Sequence, residues 1–276
     1  MPNVRDLEAS EPQTATQTAP TNTESGLALP GAFGGLPMAT KPEDFTIPES
    51  DQGIYVGFAH PQSPSWSAQS AAGCRSGDIF LGFNRQVIPK MPLNFWLMHC
   101  EAFKSVILKS GQIVYATSDL TKAVIPPGIQ APPTARLETH MLGVILVEHD
   151  GTFVPAKFDA RGTKEGCLVG PLNALKEAMK PDWPRKSEAH KIAAAATFPW
   201  LRVKHTATTH PRTAKGSGNE YHLGVASSQP STLTEMQKIA EAFTDPKFNR
   251  NAELAMKAFQ QRVGELRALS AQFAGK

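Results

Sequence analysis

Between Lys180 and Lys215, cations and flat rings alternate along the chain. Lys180, Arg185, Lys186, Lys191, Arg202, Lys204, Arg212 and Lys215 stand against Asp182 and Glu188, with Trp183, His190, Phe198, Trp200, His205 and His210 among them. Lysine and arginine neutralise backbone phosphates, and unpaired bases stack on flat side chains for about 1–3 kcal/mol each. Phosphate contacts alone do not separate single strands from duplex; stacking does. The pattern fits a sequence-tolerant single-strand binder. A solvated basic surface around buried tryptophans fits it equally well.

The chemistry depends on which face each side chain takes. If WLRVKHTATTH is a strand, Trp200, Arg202 and Lys204 share one face, and Leu201, Val203 and His205 take the other. One face is then cationic with an aromatic platform, and the other is mostly core. A second basic group, Lys157, Arg161 and Lys164, surrounds Gly162 in FVPAKFDARGTKEG, ahead of an expected helix over 168–180. Backbone N–H groups at such a turn are suited to a phosphate, although a plain strand-to-helix connection accounts for the same residues.

Catalytic signatures are weaker. None of the eight histidines forms HxH or HExxH spacing, and neither GxSxG nor GxxxxGK[ST] occurs. Gly216-Ser217-Gly218 is a fragment of a phosphate loop and reads as a flexible turn. Asp78, Asp119, Asp150 and Asp159 fall at expected strand ends, where two-metal nuclease chemistry would want carboxylates. Turn and cap roles explain each of them. No catalytic residue, metal ligand or cofactor is assigned. A metal-dependent nuclease remains the alternative, beside a structural protein that self-associates through its C-terminal helices.

Composition sets the frame. The chain has 276 residues, 41% hydrophobic and 19% charged, which is enough for a real core. Up to residue 52, Arg5 and Lys41 face eight acids, so this head carries −6 of a total of +3 and the remainder carries +9. An acidic head on a basic body suggests a polyanion partner; the head itself fits a segment that folds back to compete with one, a recruiter of basic partners, or a plain solubilising tail. No apolar run of about 20 residues is present, and the N-terminus lacks a signal-peptide core. Cys74, Cys100 and Cys167 are far apart and odd in number, which points to buried thiols in a reducing, cytoplasmic compartment. No membrane partner is expected.

The elements follow from periodicity. Residues 1–50 read as a disordered acidic segment, 51–230 as a β-rich nucleic-acid-binding domain, and 231–276 as a helical segment. GIYVGF and DIFLGF read as strands around a short helix capped by Ser63 and stopped by Gly73. NFWLMHCEAFKSVIL and GQIVYATSD read as a hairpin turning at Gly111, with helix over 94–104 as a competitor. Asp150-Gly151 marks a second hairpin. AVIPPGIQAPPTA is a stiff loop, and SEAHKIAAAA is a helix. EYHLGVA partners WLRVKHTATTH. Thr232 to Glu235 has capping-box spacing, Asp245-Pro246 breaks the helix, and an apolar stripe runs from Phe248 to Phe273. The class is α+β: a curved antiparallel sheet or OB-like barrel with C-terminal helices.

This order of parts resembles the single-stranded DNA-binding proteins of phages and mobile elements. The β-rich body carries Gly162-Thr163-Lys164, then FPWLRVKHTATT, then the loop RTAKGSGNEYHL and terminal helices. The resemblance implies an OB-fold without catalysis that coats single-stranded DNA, or RNA, during replication or recombination. Homo-oligomers and replication or recombination proteins are the partners it implies. The family often ends in an acidic tail with an aromatic tip, whereas this chain ends SAQFAGK.

Overall fold

The computed structural model describes residues 53–271, apart from 64, 84–85, 122–124, 126–133, 182, 184–186, 197 and 215–217. The acidic head, the proline-rich loop, Pro64, Arg185, Lys186, Lys215, Gly216-Ser217 and the chain end with Phe273 lie outside the described residues.

The strands are β1 (Tyr55–Phe58), β2 (Ile79–Phe83), β3 (Gln86–Pro89), β4 (Leu93–Ile107), β5 (Ile113–Thr117), β6 (Arg136–His149), β7 (Thr152–Arg161), β8 (Val203–Thr213) and β9 (Glu220–Pro230). The helices are α1 (Trp66–Ala71), α2 (Gly166–Ala178), α3 (Glu188–Ala194), α4 (Leu233–Ala242) and α5 (Pro246–Ala271). The strands form one sheet in the order β3-β2-β1-β7-β6-β4-β8-β9, with β5 also on β4. All pairings are antiparallel except β1 with β7. The result is an α+β fold on a strongly curled, half-barrel sheet with C-terminal helices.

The sheet is apolar on both faces, which explains why its central strands read as unbroken apolar runs. Along β6, Leu142, Val144 and Leu146 enter one core, while Met141, Ile145 and Val147 enter the other. Along β4, Trp96 and Met98 go to the first, and Phe95 and Leu97 to the second. Helices α4 and α5 cover the first face through Met236, Ile239, Phe248, Ala255, Phe259 and Val263. Helix α2 covers the second through Cys167, Leu168 and Leu175. A fully buried side chain of this size contributes about 1.5–3 kcal/mol. The buried Trp96 indole donates from Nε1 to Ser231 Oγ at 2.8 Å, so its polar atom is satisfied.

Local rules set the connections. Asp150 and Gly151 both have positive φ, as a two-residue hairpin turn with the right twist requires. Thr232 and Glu235 form a reciprocal capping box on α4. Asp245 Oδ1 accepts from the Lys247 N–H at 2.9 Å, and Pro246 opens α5. Residues 94–104 are strand. Helix α1 begins at Trp66 with Ser65 at its N-cap, later than the expected Ser63 start. Helix α2 begins at Gly166 and ends at Ala178, against the expected 168–180.

The expected strand at Trp200 is corrected. Pro199–Arg202 is a 3-10 turn, and β8 begins at Val203. Proline supplies no N–H to a ladder, so the chain turns once before pairing starts.

Candidate nucleic-acid interface

The sequence-derived residues separate into three groups. At the start of β8, Trp183 is 8% exposed and packs with Ala178, Ala193 and Val203. Trp200 is partly buried against both cores, 6.3 Å from the Phe198 ring and 6.2 Å from the Phe243 ring. Arg202 Nη1 donates to the Ala178 carbonyl at 2.7 Å, satisfying an orphan acceptor at the end of α2.

Lys204 is buried, with Nζ 2.8 Å from both Glu148 Oε2 and Glu235 Oε1, and 5.3 Å above the Trp96 ring. Burial lowers its pKa, but the two carboxylate hydrogen bonds outweigh this and the net shift is upward. Glu235 shifts the other way. Burial would raise it, yet Lys204 and the Thr232 cap hold it low. The face expected to present Trp200, Arg202 and Lys204 together is therefore packed against helices. The 3-10 turn breaks the alternation, and α4 covers what remains.

The second group lies where β7 ends. Gly162–Lys164 is a short 3-10 turn, and Gly162 takes a positive φ of 53° there. Lys164 Nζ donates to the His222 carbonyl at 2.6 Å and sits 5.5 Å from the Phe58 ring centre. Burial pulls its pKa down to about 8. The His222 ring packs on Gly77, where a Cβ would come within 2.2 Å of it. Burial first, then the Lys164 charge, keeps His222 below the usual histidine range.

His222 pairs with Pro211, and the next step of the ladder pairs Arg212 with Tyr221. Directly opposed residues point to the same face. Both are exposed, Tyr221 by 37%. A guanidinium and a phenol ring thus stand side by side beyond the Lys164 anchor. Arg75 is exposed in the turn that also carries Gly77. Glu220 is the nearby opposing charge, and with Pro211, Arg212 and Thr213 it lines a shallow hollow. Tyr221 was not singled out by sequence. Laying EYHLGVA against KHTATTHPRT in hairpin register would have set it opposite Arg212.

The third group, Lys157 and Arg161, lies on the sheet face that carries α5. Lys157 Nζ is 5.8 Å from the Tyr55 ring centre, and Arg161 Nε is 3.6 Å from Asp159 Oδ1. These two residues are not on the hairpin surface.

Among the described residues no cluster of three or more His, Cys, Asp or Glu side chains is placed to hold a metal ion. No described helix is long and apolar enough to cross a membrane. Compared with protein families, curated proteins and solved structures, the chain matches none.

Proposed function

We propose that this protein binds single-stranded nucleic acid without strong sequence preference, through the exposed half of the β8–β9 hairpin and the Lys164 turn beside it. The carrying observation is the cross-strand pairing of Arg212 with Tyr221 on an exposed face. Arg212 supplies charge for a backbone phosphate, and Tyr221 supplies a ring on which an unpaired base stacks. Lys164, whose turn packs on the Gly224 face of β9 opposite to Tyr221, adds a second cation beside the strand through its bond to the His222 carbonyl. DNA is the proposed substrate, in replication or recombination, in keeping with the order of parts described above. The acidic head and self-association through the C-terminal helices belong to the same proposal as regulator and assembly mode.

Fluorescence anisotropy with a labelled oligo-dT and a duplex of equal length tests this. The single strand should bind more tightly, and its affinity should fall steeply with salt. Equal preference for duplex, or no binding at micromolar protein, overturns the reading. Loss of the oligonucleotide on adding Mg²⁺ would favour nuclease activity instead.

A further inference from the structure

A groove of about 480 Å³ runs between β7 and α5. Its apolar lining includes Ala258 with the exposed rims of the core residues Leu142 and Phe259, and its polar lining is Lys157, Asp159, Gln261, Arg262 and Glu265. The size lies within the usual range for small-ligand sites, which pair an apolar lining with a few placed polar groups.

The charges are ordered by what lies behind them. The fully buried His140 is hydrogen-bonded through Nε2 to Asp159 Oδ1 at 2.7 Å. Burial would raise the Asp159 pKa, but His140, Arg161 and Arg262 bring it below the usual carboxylate range. Asp159 is thus an acceptor at neutral pH, open to an N–H donor. Arg262 is tethered to Glu265 one turn along α5. Lys157 is less well compensated. Burial lowers its pKa despite the Asp159 and Glu265 charges nearby. Among the described residues no carboxylate comes within ion-pair distance of its ammonium, which would gain from an anion.

We infer that this groove holds a single nucleotide, with the phosphate on Lys157 and Arg262, the base over Leu142 and Phe259, and an N–H of the base edge on Asp159. The ligand must join an anion to a flat, partly apolar body with N–H donors, and a nucleotide does so. Inorganic phosphate would leave the apolar lining empty; a nucleoside would leave Lys157 uncompensated.

The nucleotide has two possible sources, a free mononucleotide or one residue of a bound strand. Lys157, Asp159 and Arg161 occupy alternate positions on one face of β7, which ends at the Lys164 turn. Lys157 is about 13 Å along the strand from Arg161. A single strand on the hairpin could therefore continue past Arg161 into the groove. That source rests on the proposed hairpin interface; the groove itself does not.

Equilibrium dialysis of the full chain with labelled dAMP tests the groove, with deoxyadenosine and inorganic phosphate as competitors. Each competitor should be at least about tenfold weaker than dAMP. Lys157→Gln and Gln261→Ala should each weaken dAMP binding, by about tenfold for the charged contact. Both positions are partly solvent-facing, and far-UV circular dichroism confirms folding of each variant. Phosphate competing as well as dAMP, or dAMP affinity unchanged in Lys157→Gln, overturns the inference.

Anisotropy with an oligo-dA of about 15 nucleotides separates the sources. Weakening of both ligands in Lys157→Gln supports the strand as source. Weakening of dAMP alone supports a free nucleotide. Oligonucleotide binding without dAMP binding overturns the groove and leaves the hairpin reading intact. Binding of dAMP without the oligonucleotide does the reverse.

Discussion

Lys164 Nζ donates to the His222 carbonyl at 2.6 Å, tying the turn after β7 to the exposed half of the β8–β9 hairpin. Burial brings this lysine to a pKa of about 8, so it is cationic at pH 7 and largely neutral at pH 9. Oligonucleotide affinity should therefore fall as pH rises from about 7 to about 9. A bound phosphate raises the lysine pKa and moves the fall towards the upper end of that window. Lys164→Arg should remove the fall, since arginine stays charged throughout. Anisotropy titrations at fixed ionic strength provide the measurement. An equal fall in the variant would exclude Lys164 as the titrating contact.

Arg212 and Tyr221 should fail in different ways. Tyr221→Ala removes a stacking surface, for a loss of about 1–3 kcal/mol with the salt slope unchanged. Arg212→Ala removes a phosphate contact and should flatten the slope of log K against log salt by about 0.7. Glu220→Gln should tighten binding, because its carboxylate lies near the proposed phosphate path. Matching effects of Tyr221→Ala and Arg212→Ala on the salt slope would argue against separate stacking and phosphate roles.

Lys204 should govern stability and leave affinity alone. It bridges Glu148 and Glu235 over Trp96, joining the end of β6 to the first turn of α4. Lys204→Met removes the cation and leaves two carboxylates facing each other. Both are partly wet, so the expected loss is about 2 kcal/mol, below the roughly 3–5 of a sealed pair. The urea midpoint should drop while oligonucleotide affinity stays at its original value. A variant of unchanged stability and weakened binding would restore Lys204 to the interface.

Much of the fold was legible because it rests on local chemistry. Asp150-Gly151 can turn a hairpin by itself, Thr232 and Glu235 cap a helix within one turn, and the stripe from Phe248 needs only its own period. The basic patch misled for a non-local reason. Lys204 is 56 residues from Glu148 and 31 from Glu235, and nothing in its neighbourhood reveals either. Trp200 and Arg202 were given a strand period that Pro199 interrupts. The parallel pairing of β1 with β7 likewise joins segments about one hundred residues apart, beyond any local signal. On the proposed interface, Arg212 and Lys164 were foreseen, but Tyr221 needed the register of the hairpin.

His205 should set the acid sensitivity of the fold. It is 1% exposed, with Nδ1 2.8 Å from Ser228 Oγ and its ring 5.3 Å from that of Phe95. Burial holds its pKa down to about 3, against about 6.5 in an unfolded chain. The unfolded state therefore takes up a proton that the folded state refuses. Stability is fully present above about pH 6.5 and falls as pH drops towards 3, by up to about 1.4 kcal/mol per pH unit. Asp159 and Glu235, held low by their partners, join the loss only in the lower carboxylate range. Between pH 6.5 and 5 the slope should thus belong to histidines held low by burial: chiefly His205, with His99 and His222 adding a share that persists in its absence. Urea midpoints measured across that window should decline in the parent and decline less in His205→Phe, which keeps the ring volume without the titration. Ser228 is exposed and can turn to water when its partner goes. An identical decline in both proteins would assign the acid response elsewhere.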